Sequence, residues 1–232
     1  MTEKILIILH QEHSTPGRIG PMLEQRGFQI DIRKPRFGDS LPHCMSEHFG
    51  AIIFGGPMSA NDKDAYIRRE IDWIKVPLEH DRPFLGICLG AQLMVRHLGG
   101  KVTHHKDEHV EIGYYRIHPT EAASEICRWP DYVYQWHREG IDLPAQAELL
   151  AEGDTFECQA FKYGRSAFAI QFHAELTLAM MHKWTVRGAP RLKLKGAQQR
   201  RDHFAGRALH DEAVKGWLDN FLDHWIALGR TS

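Results

Sequence analysis

The sequence has no C-x-x-C pair: its four cysteines, Cys44, Cys88, Cys127 and Cys158, lie far apart. That spacing excludes the clustered thiols of structural zinc sites and dithiol redox centres. No stretch holds the roughly 20 consecutive apolar residues that a membrane-crossing helix needs. The apolar run at residues 5–9 follows Glu3 and Lys4 and is shorter than the hydrophobic segment of a secretory signal. A cytoplasmic location with free thiols is therefore expected. Nor does one charge dominate, since 29 Lys and Arg face 30 Asp and Glu. Such a chain has no long-range attraction for nucleic acid or an anionic membrane, and neither is expected as a partner. There is no P-loop, no nucleotide-binding glycine fingerprint, and no repeat or low-complexity block. No cofactor is expected.

What is present is an ordinary globular composition, 43% hydrophobic and 25% charged, which excludes a disordered chain. Residues 4–9 form a continuous β-branched and leucine run, the pattern of a strand buried on both faces of a parallel sheet. A helix over 18–26, closed by Gly27, and a strand over 28–32 complete a βαβ start. A third buried strand at 51–54 ends in Gly55-Gly56-Pro57, followed by a long helix at about 64–79. A fourth strand at 83–87 leads into a helix at 89–98 that Gly99-Gly100 stops. Beyond Gly100 the segments 111–118, 132–135, 147–151, 158–161 and 167–172 are short strand candidates separated by turns. A helix over 176–187 and a last amphipathic helix follow. In the latter, Val214, Trp217, Leu218, Phe221, Leu222 and Trp225 recur at helical spacing as a core-facing stripe. The pattern predicts an α/β fold: an open, mostly parallel sheet flanked by helices, with added antiparallel strands. It predicts one domain over residues 1–232, with a helical C-terminal extension from about residue 176.

Sixteen histidines include His104, His105 and His109 in HHKDEHVE. His105 and His109 would share a face only on a helix, and this segment lies between a strand near 101–103 and another beginning near Glu111. A solvated polar loop is expected here, and no metal site.

The chemistry concentrates at GICLGAQ, residues 86–92. A strand followed at once by G-x-C-x-G and a helix is a nucleophile-elbow pattern, with the helix N-terminus favouring a thiolate. Alone, the pattern also fits a small buried cysteine at a tight turn. A thiolate nucleophile needs a proton shuttle, and the shuttle an orienting acceptor. His173, at the end of the last strand in QFHAE, and Glu175, two residues on, are the best-placed pair, because a two-residue offset in extended chain sends both side chains the same way.

With FGGP (54–57), FLGICLGAQ (84–92) and QFHAE (171–175) in this order, the chain resembles the class I glutamine amidotransferases, particularly the glutaminase domain of GMP synthase. The resemblance spans residues 4–175 and implies that family's flavodoxin-like architecture. It implies that Cys88 attacks the side-chain amide of glutamine, that His173 carries protons, and that Glu175 fixes the imidazole. It further implies an oxyanion hole formed by the backbone N–H groups of Gly56 and Leu89; Pro57 has no N–H to offer. Gln92, one turn beyond Cys88, and Trp136 and His137 in YQWHRE are the implied substrate contacts. Arg138 and Glu139 replace the small residue and aspartate usual in that motif, which leaves the substrate open. Glutamine is one candidate, with a separate synthetase subunit receiving the ammonia. Another is a γ-glutamyl amide or peptide, because only the leaving amine differs. A non-enzymatic binding protein on the same fold is a third.

Overall fold

A computed structural model describes residues 2–231. The first half of the chain alternates strands and helices: β1 (Lys4–Ile8), α1 (Ile19–Gln25), β2 (Gln29–Arg33), β3 (His48–Ile53), α2 (Ala65–Trp73), α3 (Lys75–Glu79), β4 (Phe84–Ile87) and α4 (Leu89–His97). The second half is strand-rich: β5 (Lys101–His104), β6 (Glu111–Pro119), α5 (Glu121–Ile126), β7 (Tyr132–His137), β8 (Glu139–Asp142), β9 (Glu148–Gly153), β10 (Cys158–Tyr163) and β11 (Ala167–Ile170). Two helices, α6 (Leu178–Arg187) and α7 (Arg200–Arg230), close the described chain.

Nine strands form one mixed sheet in the order β2-β1-β3-β4-β11-β10-β9-β6-β7. From β2 to β11 the neighbours run parallel, and from β11 to β7 they run antiparallel. The parallel strands β3, β4 and β11 are buried along their whole length, which is why their sequences are apolar without alternation. Successive side chains still point to opposite faces. Ile5, Ile7, Leu85, Ile87, Phe168 and Ile170 pack with residues of α1 and α7, while Leu6, Ile8, Ile53, Phe84 and Ala169 pack with α2 and α4 on the other side.

Beyond shifts of strand ends by a few residues, the structure departs from the sequence reading in these places. The helix expected over 64–79 divides into α2 and α3, because Pro77 lacks the N–H that would bond to the Trp73 carbonyl. The strand expected at 132–135 runs on to His137, and a further strand, β8, starts two residues later and pairs antiparallel with β5. A short helix, α5, was not expected; Thr120 caps it by accepting from Ala123 N–H, with Glu121 in its first turn. The helix expected from 176 starts at Leu178, because Thr177 caps it through Met180 N–H at 3.2 Å. In the histidine-rich segment the rings of His105 and His109 stack on one another, 5.2 Å apart.

One topological feature places the site. The chain adds β2 on one side of β1 and then crosses to β3 on the other, and such a switch point leaves a crevice at the carboxyl ends of the strands. Leu9 and Gln11 follow β1, Phe54 and Gly55 follow β3, Cys88 follows β4, and His173 follows β11, and all of them border one cavity.

Candidate active site

Cys88 is the hinge between β4 and α4. Its backbone adopts φ 51, ψ −102, a left-handed conformation that a non-glycine residue holds only when its surroundings enforce it. Two hydrogen bonds do so: Cys88 N–H donates to Ile170 O at 2.8 Å, and Gln92 N–H donates to Cys88 O at 3.0 Å. Close packing of the elbow explains the flanking glycines. A Cβ at Gly90 would lie 2.1 Å from Ile53 O, and one at Gly86 would lie 2.7 Å from the Gly90 carbonyl.

The partners arrive from β11. His173 N–H donates to Tyr134 O at 2.8 Å, fixing the backbone just past the strand. The His173 Nδ1 lies 2.7 Å from Glu175 Oε1, and both residues are buried. Since a carboxylate accepts, Nδ1 carries the proton and the other ring nitrogen is left free of Glu175. Burial pulls the imidazole pKa down, but the Glu175 carboxylate and Cys88 outweigh it and raise it to about 10. Glu175 is held in turn through its backbone, where Arg18 N–H donates to Glu175 O at 3.0 Å. Trp184 of α6 closes the site, its ring edge-to-face with His173 at 4.8 Å.

The glycine loop after β3 meets these groups directly. A Cβ at Gly55 would lie 2.8 Å from His173 Cε1 and 3.4 Å from Cys88 Cβ, so only glycine lets the loop approach this closely. Leu89 buries its side chain in the core, and its N–H is the first of α4, where no intrahelical acceptor exists.

A cavity of about 460 Å³ opens above the cysteine, and Cys88, His173, Glu175, Gly56 and Trp136 border it. Gln92 and His137, the other two expected substrate contacts, lie behind this wall rather than in it. Gln92 Nε2 donates to Glu139 O at 3.1 Å and to Gln171 Oε1 at 3.3 Å. His137 pairs with Glu111 Oε2 and with Glu139 O, each at 3.0 Å. The physical reason is Glu139: its side chain accepts from Ser59 Oγ at 2.9 Å and its backbone opens β8, so its carbonyl draws both residues away from the cavity. Their hydrogen bonds are those of structural polar residues.

The sequence reading missed the cationic side of the cavity. Lys183, Arg187 and Arg191 border it, and none is paired with a carboxylate among the described residues. Burial and the nearby Arg138 push the Arg191 guanidinium below its ordinary pKa, while Cys88 pulls it up. In the sequence, the spacing of Lys183 and Arg187 on one face of α6 is the signal of a shared surface.

A family model described as glutamine amidotransferase class-I matches residues 17–187. A glutamine amidotransferase-like protein of Salmonella typhimurium, YfeJ, is 30% identical over 185 residues, covering 75% of this chain and 77% of its own. A glutamine-hydrolysing GMP synthase subunit of Thermoplasma volcanium is 30% identical over 131 residues, covering 55% of this chain and 62% of that protein. Among solved structures, a glutamine amidotransferase of Thermotoga maritima superposes with a TM-score of 0.87 at 27% identity, covering 97% of this chain and 99% of its own.

Proposed function

Because the chain belongs to the class I glutamine amidotransferase family, we propose that it cleaves a γ-carboxamide through a thioester on Cys88. The observation that carries this reading is the buried relay of Glu175, His173 and Cys88, whose 2.7 Å ion pair raises the imidazole pKa to about 10. A protonated His173 beside the elbow is the partner that a cysteine nucleophile requires. The thiolate adds to the amide carbon of glutamine, and the N–H groups of Gly56 and Leu89 receive the resulting oxyanion. The C–N bond then breaks as His173 protonates the departing ammonia. Neutral His173 next takes a proton from water, the hydroxide attacks the thioester, and the C–S bond breaks to release glutamate and restore the thiolate. Ammonia passes to a separate synthetase subunit, in keeping with a relative that is itself named as one subunit of a GMP synthase.

A second reading keeps the same chemistry with a larger leaving amine. It is favoured by the 460 Å³ cavity and by Lys183, Arg187 and Arg191 on its wall, which suit a γ-glutamyl peptide whose amine portion carries a carboxylate. Steady-state assays with glutamine, with γ-glutamyl peptides ending in a carboxylate and with γ-glutamyl amides of neutral amines separate the two. Preference for the carboxylate-bearing peptides selects the second reading. Under both, Cys88→Ala abolishes turnover while the circular dichroism spectrum is unchanged. Turnover retained in that variant overturns the mechanism.

A further inference from the structure

Beneath the glycine loop lies a pair of ionisable residues that the reaction above does not use. His10, two residues past the end of β1, and Glu70, on α2, are both wholly buried. His10 Nε2 lies 2.8 Å from Glu70 Oε2, and His10 Nδ1 lies 3.2 Å from Gly55 O. A carbonyl oxygen can only accept, so Nδ1 carries a proton and donates it to Gly55. A hydrogen bond between Nε2 and Glu70 Oε2 holds the ring from behind.

Gly55 C=O and Gly56 N–H belong to one peptide group. The described residues contain no cis peptide, so the two point in opposite directions. His10 does not border the cavity, whereas Gly55 and Gly56 do; a Cβ on Gly56 would lie 3.0 Å from the His10 Cβ, which places the histidine against the loop. A carbonyl drawn inward to His10 therefore turns the Gly56 N–H outward, to the side where Cys88 and His173 lie.

We propose that the buried His10–Glu70 pair is a positioning device that locks the Gly55–Gly56 peptide with its N–H presented to the oxygen of the reacting carbonyl, so that the oxyanion hole is formed before substrate binds. The assignment rests on the reading of Gly56 as an oxyanion donor. Glycine at 55 and 56 makes such a lock necessary, because glycine backbones otherwise rotate with little resistance. The pair acts through the peptide and touches no substrate atom.

The test uses the full-length protein with His10→Leu and with the double variant His10→Leu/Glu70→Leu. Replacing one partner strands a buried carboxyl and lowers the melting temperature, whereas replacing both by apolar residues leaves stability near the wild-type value. In the double variant kcat for the amide that the wild type turns over falls roughly tenfold to a hundredfold, with KM little changed. Alkylation of Cys88 by iodoacetamide, a displacement that develops no oxyanion, keeps its wild-type rate. A double variant with wild-type kcat overturns the proposal, and so does one in which alkylation and kcat fall together, since the pair would then support Cys88 itself. A crystal structure of the double variant tests the lock independently of turnover: the Gly55–Gly56 peptide is expected to rotate or to occupy two orientations, and an unchanged peptide overturns the lock. A wild-type protein inert towards glutamine and every γ-glutamyl amide would instead overturn the proposed function, leaving the crystallographic result standing.

Discussion

At the scale of single residues, the site is a contest between burial and charge. His173 is largely buried, which disfavours the imidazolium, yet Glu175 and Cys88 reverse the sign and raise its pKa to about 10. Removing the carboxylate should let burial dominate. In Glu175→Gln the His173 titration, followed by NMR of the labelled imidazole, is expected to move from about 10 down towards or below the ordinary 6.5; an unchanged midpoint would show that Glu175 is not the cause. The sign for stability follows from linkage. A pKa raised on folding contributes stability that is fully present below the unfolded value of 6.5 and is lost as pH rises through about 10. Denaturant titrations should show the wild-type margin over Glu175→Gln shrinking between those limits. That Cys88, His173 and Glu175 come together at one edge of the sheet is legible because each sits in a short motif after a strand, where local geometry dictates direction. The placement of Gln92 and His137 behind the cavity wall is not legible for the complementary reason. Helical spacing puts Gln92 on the face of Cys88, but what that face meets is set by Glu139, 47 residues away.

At the scale of elements, glycines sort by what stands opposite them. Gly90 faces the Ile53 carbonyl, which belongs to the central strand β3 and cannot step aside. Gly90→Ala is therefore expected to destabilise the fold by about 1–3 kcal/mol or more and to disturb the elbow, seen as a lower denaturation midpoint with slowed alkylation of Cys88. Gly216, inside α7, has nothing within 4 Å of its would-be Cβ, so Gly216→Ala should stabilise by about 0.5–1 kcal/mol through helix propensity alone. A loss at 216, or no effect at 90, contradicts the packing described. The strands of the first half were readable because burial on both faces makes them continuously apolar. Strand β8 was not, since EGID carries no alternating or continuous apolar pattern and exists through its pairing with β5. Its partner strand, KVTH, was read only as a rough segment for the same reason.

At the scale of the whole molecule, the helix that follows the catalytic motifs proves to be part of the core. The sequence displays the stripe on α7 but not its partner, because the surface it covers is assembled from distant strands. Trp217, Phe221 and Trp225 pack with Leu85, Phe168 and Phe172, and Trp225 Nε1 donates to Phe84 O at 3.2 Å, reaching the strand that delivers Cys88. Trp225 is fully buried, so Trp225→Ala removes a large apolar volume together with its hydrogen bond to Phe84 O. The expected loss is roughly 3–5 kcal/mol, against a total of about 5–15 kcal/mol for a typical domain. For a chain of this length that corresponds to a melting temperature lower by roughly 10 °C. Leu209, on the same helix but 77% exposed, supplies the control: Leu209→Ala should change stability by no more than about 0.5 kcal/mol. If α7 covers the sheet as described, the Trp225 variant melts in a single transition, with near-ultraviolet ellipticity and Cys88 reactivity lost together. Two transitions, the later one carrying Cys88 reactivity at the wild-type temperature, would mean that the sheet holds its elbow without the helix.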